Sequence, residues 1–448
     1  MIQTDVAIIG GGFSGCAVAA QLAARAEASL SLTLFELEGV ARGAAYGTPH
    51  PELLLNTRAQ LMSLYPDDPD HFVRWLGARG AATDFVSRRL YGDYLVEIAN
   101  RTFERPGFSR VVDWVRRVRR SPDGGFVVEA ASSEALAART LVLATGNPLP
   151  SDDFLPRELV RHPGYIADPW RFAYGAVGGH VLIVGSGLTA LDVLVALQAS
   201  GHRGAVHVVS RRGRFPEVHG DGGAYDVIPA IDTSSARAAL RSFRRHVQEA
   251  AQRGFDWQCV IDAIRPQGEA LWRRLPPEEQ RRFERHLRTR WERHRHRTPA
   301  QIDDVRRSYE RSGRFFTYAG SIAGTHAGNV EIALRGGGSV ELRPDWIVNC
   351  TGLSGTRAMA KDPMLAELLA EGTLSAGPGE LGLRTTPDLA AIDARGSVVP
   401  GLWIAGPPVR GSRFEATAVP ELRVMAELAA TEILQTLPAM AVASEALG

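Results

Sequence analysis

Val6-Ala7-Ile8-Ile9-Gly10-Gly11-Gly12-Phe13-Ser14-Gly15 is an apolar run that breaks into a glycine-rich turn and then into a helix-forming stretch. The same pattern returns at Val181-Leu182-Ile183-Val184-Gly185-Ser186-Gly187-Leu188-Thr189-Ala190. A four-residue apolar run reads as a strand buried on both faces, and a glycine turn leading into a helix completes the first half of a βαβ unit. Each position in such a turn has its own physical reason. The first glycine makes the tight reversal and the second lets backbone approach a pyrophosphate. The third position, Gly15 or Ala190, lets helix and strand pack closely. The helix start then offers free N–H groups and a positive dipole end to phosphates.

The two units end differently. Twenty-six residues after Gly10 the next apolar strand closes on Glu36, and twenty-six residues after Gly185 its equivalent closes on Arg211, followed by Arg212. A carboxylate accepts hydrogen bonds from a ribose 2′-hydroxyl and repels a 2′-phosphate, which suits FAD or NAD. Ser210-Arg211-Arg212 suits the 2′-phosphate of NADP, since guanidinium presents a fixed fork of donors. The expectation is an α/β chain with two Rossmann-like dinucleotide-binding domains. Cofactor contacts are expected at Gly10, Gly12, Phe13, Ser14, Gly15 and Glu36, and again at Gly185, Gly187, Leu188, Arg211 and Arg212.

The 448 residues are enough for two or three domains, and 45% hydrophobic with 23% charged residues is an ordinary globular balance. A net charge of +1 gives no global field toward nucleic acid or acidic membranes. The chain enters a strand at once and shows neither a signal-peptide pattern nor a membrane-spanning apolar run, so the cytoplasm is expected. Cys16, Cys259 and Cys350 form no C-x-x-C pair, so a dithiol relay of that kind is not expected and each is read as buried packing. Of 51 basic side chains one is a lysine, Lys361, in a charged stretch without support for Schiff-base chemistry.

Along the chain, residues 1–155 read as the first part of an FAD-binding domain. Its strand Leu141-Val142-Leu143 ends in Ala144-Thr145-Gly146, small residues that allow close approach of a cofactor. Prolines at 148, 150 and 156 mark a linker into an NADP-binding domain over 156–340. That domain carries a helical, arginine-rich insertion over about 236–311. Ten arginines lie between Arg273 and Arg297, interleaved with Glu278, Glu279, Glu284 and Glu292. The interleaving reads as a solvated helical face rather than a nucleic-acid surface, the alternative being that Trp291 to Arg297 line a cleft for an anionic ligand. Residues 341–448 are expected to return to the FAD domain. There Trp346-Ile347-Val348-Asn349-Cys350-Thr351-Gly352 repeats the strand-to-Thr-Gly pattern, and Leu402-Trp403-Ile404-Ala405-Gly406 is a further strand ending in glycine. A helix from about Ala418 would point its start at a flavin pyrimidine.

The combination resembles the flavoproteins in which an NADP domain is inserted within a discontinuous FAD domain. More narrowly, it is similar to bacterial FAD/NAD(P)-binding proteins. The shared features are a loop like Arg42-Gly43-Ala44-Ala45-Tyr46-Gly47, a Ser210-to-Gly213 stretch, and a block like Glu415 to Glu421. The resemblance covers residues 1 to about 435. It implies further FAD contacts at Arg42, Asn56, Gly406 and the backbone near Thr417, and NADP contact at Thr189. The broader relatives are NADPH-dependent flavin monooxygenases, many with a Phe-x-Gly-x-x-x-His fingerprint between the two glycine turns. Here the corresponding stretch is His162-Pro163-Gly164-Tyr165-Ile166-Ala167-Asp168, which keeps the glycine and has aspartate in place of histidine.

The functional expectation is an oxidoreductase using FAD and NADPH. Its main form is a monooxygenase that takes O2, works through a C4a-hydroperoxyflavin and acts on a small molecule, with amine or amino-acid N-hydroxylation as the reaction class. The alternative is electron transfer to a quinone or other small acceptor without oxygen insertion, and a third reading is a non-catalytic FAD-binding subunit. The cofactor would carry the chemistry, so no side-chain nucleophile is required. Asp168 and His219 are the candidates for handling protons. A turn-capping aspartate and a loop histidine are the plainer readings of the same residues.

Overall fold

In the computed structural model the chain divides into two units, residues 1–51, 57–149 and 353–448 in one and residues 52–56 and 150–352 in the other. The structure describes residues 2–37, 39, 41–220, 223, 225–352 and 355–445.

In the first unit, strand β1 (Ile2–Ile9) leads through the glycine turn into helix α1 (Phe13–Arg25) and strand β2 (Leu32–Glu36). β1 and β2 are parallel, with Val6 opposite Leu32 and Ile9 opposite Phe35. After helix α2 (Arg88–Phe103), strand β3 (Phe108–Val112) adds parallel to β2, with Val112 opposite Glu36. Strands β4 (Val115–Arg120) and β5 (Phe126–Ala130) pair antiparallel, and β6 (Leu136–Leu143) returns parallel to β1 with Leu143 opposite Ile9. Central β1 is covered on both faces: Val6, Ala7 and Ile8 are fully buried, as an uninterrupted apolar run requires.

The second unit contains β7 (Tyr165–Ile166), β8 (Val181–Val184), helix α3 (Leu188–Ala199) and β9 (Val206–Ser210). Five helices follow: α4 (Ala236–Gln252), α5 (Trp257–Ile264), α6 (Gly268–Arg274), α7 (Pro277–His286) and α8 (Arg288–Arg295). Ala250, Val260 and Ile264 form a small core of their own, with Phe255 and Trp291 against it. The start of α4 is fixed by Glu279, whose carboxylate accepts from the Ala236 amide at 2.9 Å. Helix α9 (Ala300–Arg311) then packs on α3 and delivers the chain to β10 (Phe315–His326), parallel to β9. It is therefore the crossover helix of the nucleotide fold itself. The expected insertion of 236–311 ends before it, because helical periodicity alone does not tell an inserted helix from a crossover.

β11 (Asn329–Leu334), β12 (Ser339–Leu342) and β13 (Trp346–Asn349) complete a sheet of order β12-β11-β10-β9-β8-β13-β7. This corrects the expectation for residues 346–352. β13 pairs with β8, Asn349 opposite Val184, so it belongs to the second unit and the chain returns to the first at residue 353 rather than 341. The physical reason is that an apolar strand ending in Thr-Gly closes either Rossmann sheet, and the motif does not name which. The first unit is completed by β14 (Ala390–Ile392), β15 (Val398–Ile404) and helix α10 (Val419–Glu445). β15 lies parallel to β6, Ile404 opposite Leu143, in the order β14-β15-β6-β1-β2-β3, and α10 packs against α1.

Candidate functional site

Two cradles are built from the same parts. In the first, the Gly10 amide donates to the Phe35 carbonyl at 2.9 Å and the Ala144 amide donates to the Ile9 carbonyl at 2.8 Å. In the second, the Gly185 amide donates to Val209 and the Cys350 amide to Val184, both at 2.8 Å. Gly10 holds φ +109° and Gly185 φ +113°. A Cβ on Gly10 would lie 2.3 Å from the Ala144 carbonyl oxygen, and one on Gly185 would lie 2.1 Å from that of Cys350. No side chain fits either place. The helices start alike: α1 is capped by Gly12 (φ −75°, ψ −167°) and α3 by Gly187 (φ −81°, ψ −167°), neither with a capping side chain. The first-turn amides are thus left facing outward for an anionic ligand. Phe13, Ser14 and Gly15 form the buried start of α1, while Leu188 and Thr189 lie at the less buried start of α3.

Sequence position maps directly onto this geometry. Thr145 and Gly146 (φ +74°) end β6 beside the first turn, and Thr351 and Gly352 (φ +86°) stand in the same relation to the second. Gly352 therefore sits in the second cradle. Gly406 (φ +86°) follows β15 in the first unit, and a Cβ there would fall 2.2 Å from Ser14 Oγ. Thr417 lies just ahead of α10. Gly43 (φ +53°) faces Gly12, where a Cβ on it would be 3.1 Å from the Gly12 Cα, so the Arg42-to-Gly47 loop lies against the first turn. The Arg42 guanidinium is held at 2.6 Å by Asp93.

The ribose ends diverge. Glu36 is 4% exposed, and among the described residues neither of its carboxylate oxygens has a hydrogen-bond partner at full geometry. Burial pushes its carboxyl above the ordinary range, opposed by the Arg110 charge and by the Ala41 backbone amide, which is placed to donate to it. A buried carboxylate with two orphaned acceptors is costly unless a ligand supplies donors. Ribose hydroxyls fit that need, so the residues present suit the adenosine half of FAD. At the other cradle Arg211 is exposed and Arg212 half-buried, and neither has an acidic partner among the described residues. Two unpaired guanidinium groups at the strand end suit a 2′-phosphate.

Other expected residues make contacts of their own within the second unit. Asn56 is placed with the second unit, because Leu53 packs in that unit's core with Ile183 and Val208. Its carbonyl accepts from His219 Nε2 at 3.0 Å, and the His219 amide donates to Thr298 at 2.9 Å, so His219 ties the insertion to residues 52–56. Asp168 Oδ1 accepts the amides of Trp170 at 3.1 Å and Arg171 at 3.3 Å, the geometry of a turn cap. Gly164 of the neighbouring fingerprint has a packing reason, since a Cβ there would lie 2.2 Å from the Asp345 carbonyl. The basic run 293–297 is consumed internally: Arg293 pairs with Glu217, His296 with Glu292, and Arg297 with Asp262.

Sequence reasoning missed Asn349. It is fully buried, donates to Ser151 at 3.2 Å and Tyr165 at 3.0 Å, and accepts from the Thr351 hydroxyl at 2.7 Å, so it orients the second Thr-Gly pair. A polar residue ending an otherwise apolar strand was the available signal. The three cysteines are buried and unpaired. Burial and the Glu36 charge push the Cys16 thiol up to about 12, and burial pushes Cys350 well up, so neither is a thiolate near neutrality. Among the described residues no His, Cys, Asp and Glu cluster could hold a metal ion, and no helix is long and apolar enough to cross a membrane.

Residues 7–148 match the family model described as FAD-NAD(P)-binding. The first unit carries an FAD-NAD(P)-binding domain. The fold around this domain is shared along nearly the whole chain with solved structures of low identity. An ornithine hydroxylase of Pseudomonas aeruginosa superposes with a TM-score of 0.66 at 20% identity, covering 97% of this chain and 100% of its own. An ornithine N-hydroxylase of Kutzneria sp. 744, whose structure holds reduced FAD, NADP+ and L-ornithine, gives 0.61 at 17%, covering 97% and 99%. A bacillithiol disulfide reductase of Staphylococcus aureus gives 0.57 at 13% over the same shares. No curated protein matches the chain.

Proposed function

We propose that this chain is an NADPH-dependent FAD oxidoreductase acting as a monooxygenase on a small amine-bearing molecule, hydroxylating nitrogen. One observation carries the two-cofactor reading: congruent cradles that end, among the described residues, in a buried carboxylate short of hydrogen-bond donors in one case and in two guanidinium groups without an acidic partner in the other. FAD, when bound, supplies hydride acceptance from NADPH and onward electron transfer. The protein's own part is positional. Glu36 accepts the ribose hydroxyls, the uncapped starts of α1 and α3 face the pyrophosphates, and Arg211 and Arg212 select the phosphorylated nucleotide. The oxygenase side of the reading is supported by fold likeness to the two ornithine hydroxylases. It is also supported by the cysteines, whose burial and raised thiol pKa values suit no thiolate relay.

A second reading, electron transfer to a small acceptor without oxygen insertion, is favoured by Asp168 standing where the related fingerprint has histidine, and by the shared fold of the disulfide reductase. Isotopically labelled O2 separates the two. Label in the product of a tightly coupled amine substrate supports hydroxylation. NADPH consumption with label only in peroxide or water, across an amine and amino-acid panel, overturns it.

A further inference from the structure

The residue between the first two glycines of each turn is where the cradles differ most. In the first it is Gly11, and a Cβ there would lie 2.5 Å from the Glu36 Cβ and 2.6 Å from Oε2. In the second it is Ser186, whose Oγ lies 2.8 Å from both Ser210 Oγ and the Arg214 carbonyl oxygen. A hydroxyl carries one hydrogen. With Ser186 donating to the carbonyl, the Ser210 hydroxyl supplies the hydrogen of the other bond. Ser210 Oγ also accepts from the Gly213 amide at 3.0 Å, and Gly213 reverses the chain at φ +59°. Both ends of the Ser210–Arg214 turn are therefore tied to the glycine turn through one side chain, with Arg211 and Arg212 between the ties.

We infer that Ser186 is the positioning residue for nucleotide selectivity, an inference that rests on the second cradle being the NADPH site. By fixing the turn, it holds the two guanidinium groups near the 2′-phosphate position before the ligand arrives, so less freedom is lost on binding. The first cradle needs no such tie, because burial already fixes Glu36 and its side chain fills the space that a serine would occupy. Within this chain the middle position thus matches the strand end: glycine beside the carboxylate, serine beside the arginine turn. The contribution is selective, since NADH makes no use of the arginines that Ser186 places.

The test is calorimetric titration of the full-length, FAD-loaded protein with NADPH and with NADH, comparing wild type, Ser186→Ala and Ser186→Thr. Ser186→Ala is expected to weaken NADPH about three- to tenfold, the range for losing one or two hydrogen bonds, while NADH changes less than about twofold. Ser186→Thr, which keeps the hydroxyl, is expected to retain the wild-type ratio. Equal weakening of both nucleotides by Ser186→Ala, or no change in either, overturns the role of Ser186 while leaving wild-type preference for NADPH intact. A wild type that binds both nucleotides equally removes the NADP reading itself, and the proposal with it. Should Ser186→Ala lose its flavin spectrum or its melting transition, Ser210→Ala cuts the Ser186–Ser210 tie and the Gly213 bond while leaving the Arg214 tie in place; a selective loss of NADPH affinity of about two- to fivefold is then expected, and an unchanged NADPH-to-NADH ratio overturns the proposal.

Discussion

The two nucleotide cradles share a backbone and differ in what they leave unsatisfied. Their first glycines agree within a few degrees, and their strand-end Thr-Gly pairs occupy equivalent places. Geometry common to both is what any pyrophosphate needs. The difference lies in two places per cradle, Gly11 with Glu36 against Ser186 with the Arg211-Arg212 pair. On the proposed reading, cofactor identity is a local electrostatic decision laid over a general fold.

The comparison can be broken most severely at its shared element. Gly10→Ala and Gly185→Ala each force a Cβ within about 2.3 Å of a carbonyl oxygen at a φ that alanine avoids, and a cost of roughly 2–4 kcal/mol is expected. Gly10→Ala is expected to yield colourless protein, whereas Gly185→Ala keeps its flavin spectrum and loses NADPH binding. If both variants lose flavin together, the cradles are not independent. Arg211→Ala comes next. Loss of a charge-assisted bond is expected to weaken NADPH about ten- to a hundredfold, with NADH nearly unchanged, as read by titration.

Gly187→Ala sharpens a subtler contrast. A Cβ at Gly187 meets nothing within 4 Å, so the melting temperature should hold. The same methyl group stands where backbone must approach a pyrophosphate, and NADPH affinity is expected to fall about tenfold. An unaltered affinity would place the phosphates elsewhere.

The smallest expected effect concerns pH. Burial holds the Glu36 carboxyl above its ordinary value of 4.5. Its contribution to stability is therefore complete below that pH and is lost as pH rises through the elevated folded value. Melts of flavin-free protein at mildly acid and neutral pH are expected to show this loss, and Glu36→Gln to flatten it. Flavin should remove it too, because ribose donors satisfy the ionised form. Identical pH profiles for wild type and Glu36→Gln would show that Glu36 is not strained by burial.

Much of this was legible in the sequence because the glycine turns carry steric necessity. Gly10 and Gly185 admit no other residue, and Glu36 and Arg211 sit at a fixed spacing from them. The assignment of Trp346 to Gly352 was not legible. An apolar strand closing on Thr-Gly serves both sheets equally, and only its pairing with β8 decides. The placements of Ala300 to Arg311 and of Asn56 were hidden for related reasons, since both depend on which core their apolar neighbours join. The Ser186 bridge was out of reach, because serine in a glycine-rich turn has a plain loop reading until its Ser210 and Arg214 partners are seen.

The pairing of β15 with β6 has a further consequence for biogenesis. Ile404 sits beside Leu143, so the first unit stays unfinished on the ribosome until the whole second unit has emerged. Maturation should then run inside out, with the inserted module folding first and prosthetic-group loading last. Nascent chains arrested before Val398 are expected to protect residues 150–352 from protease while leaving residues 1–149 open to cleavage. Early protection of the amino-terminal stretch would show that its sheet tolerates a missing strand.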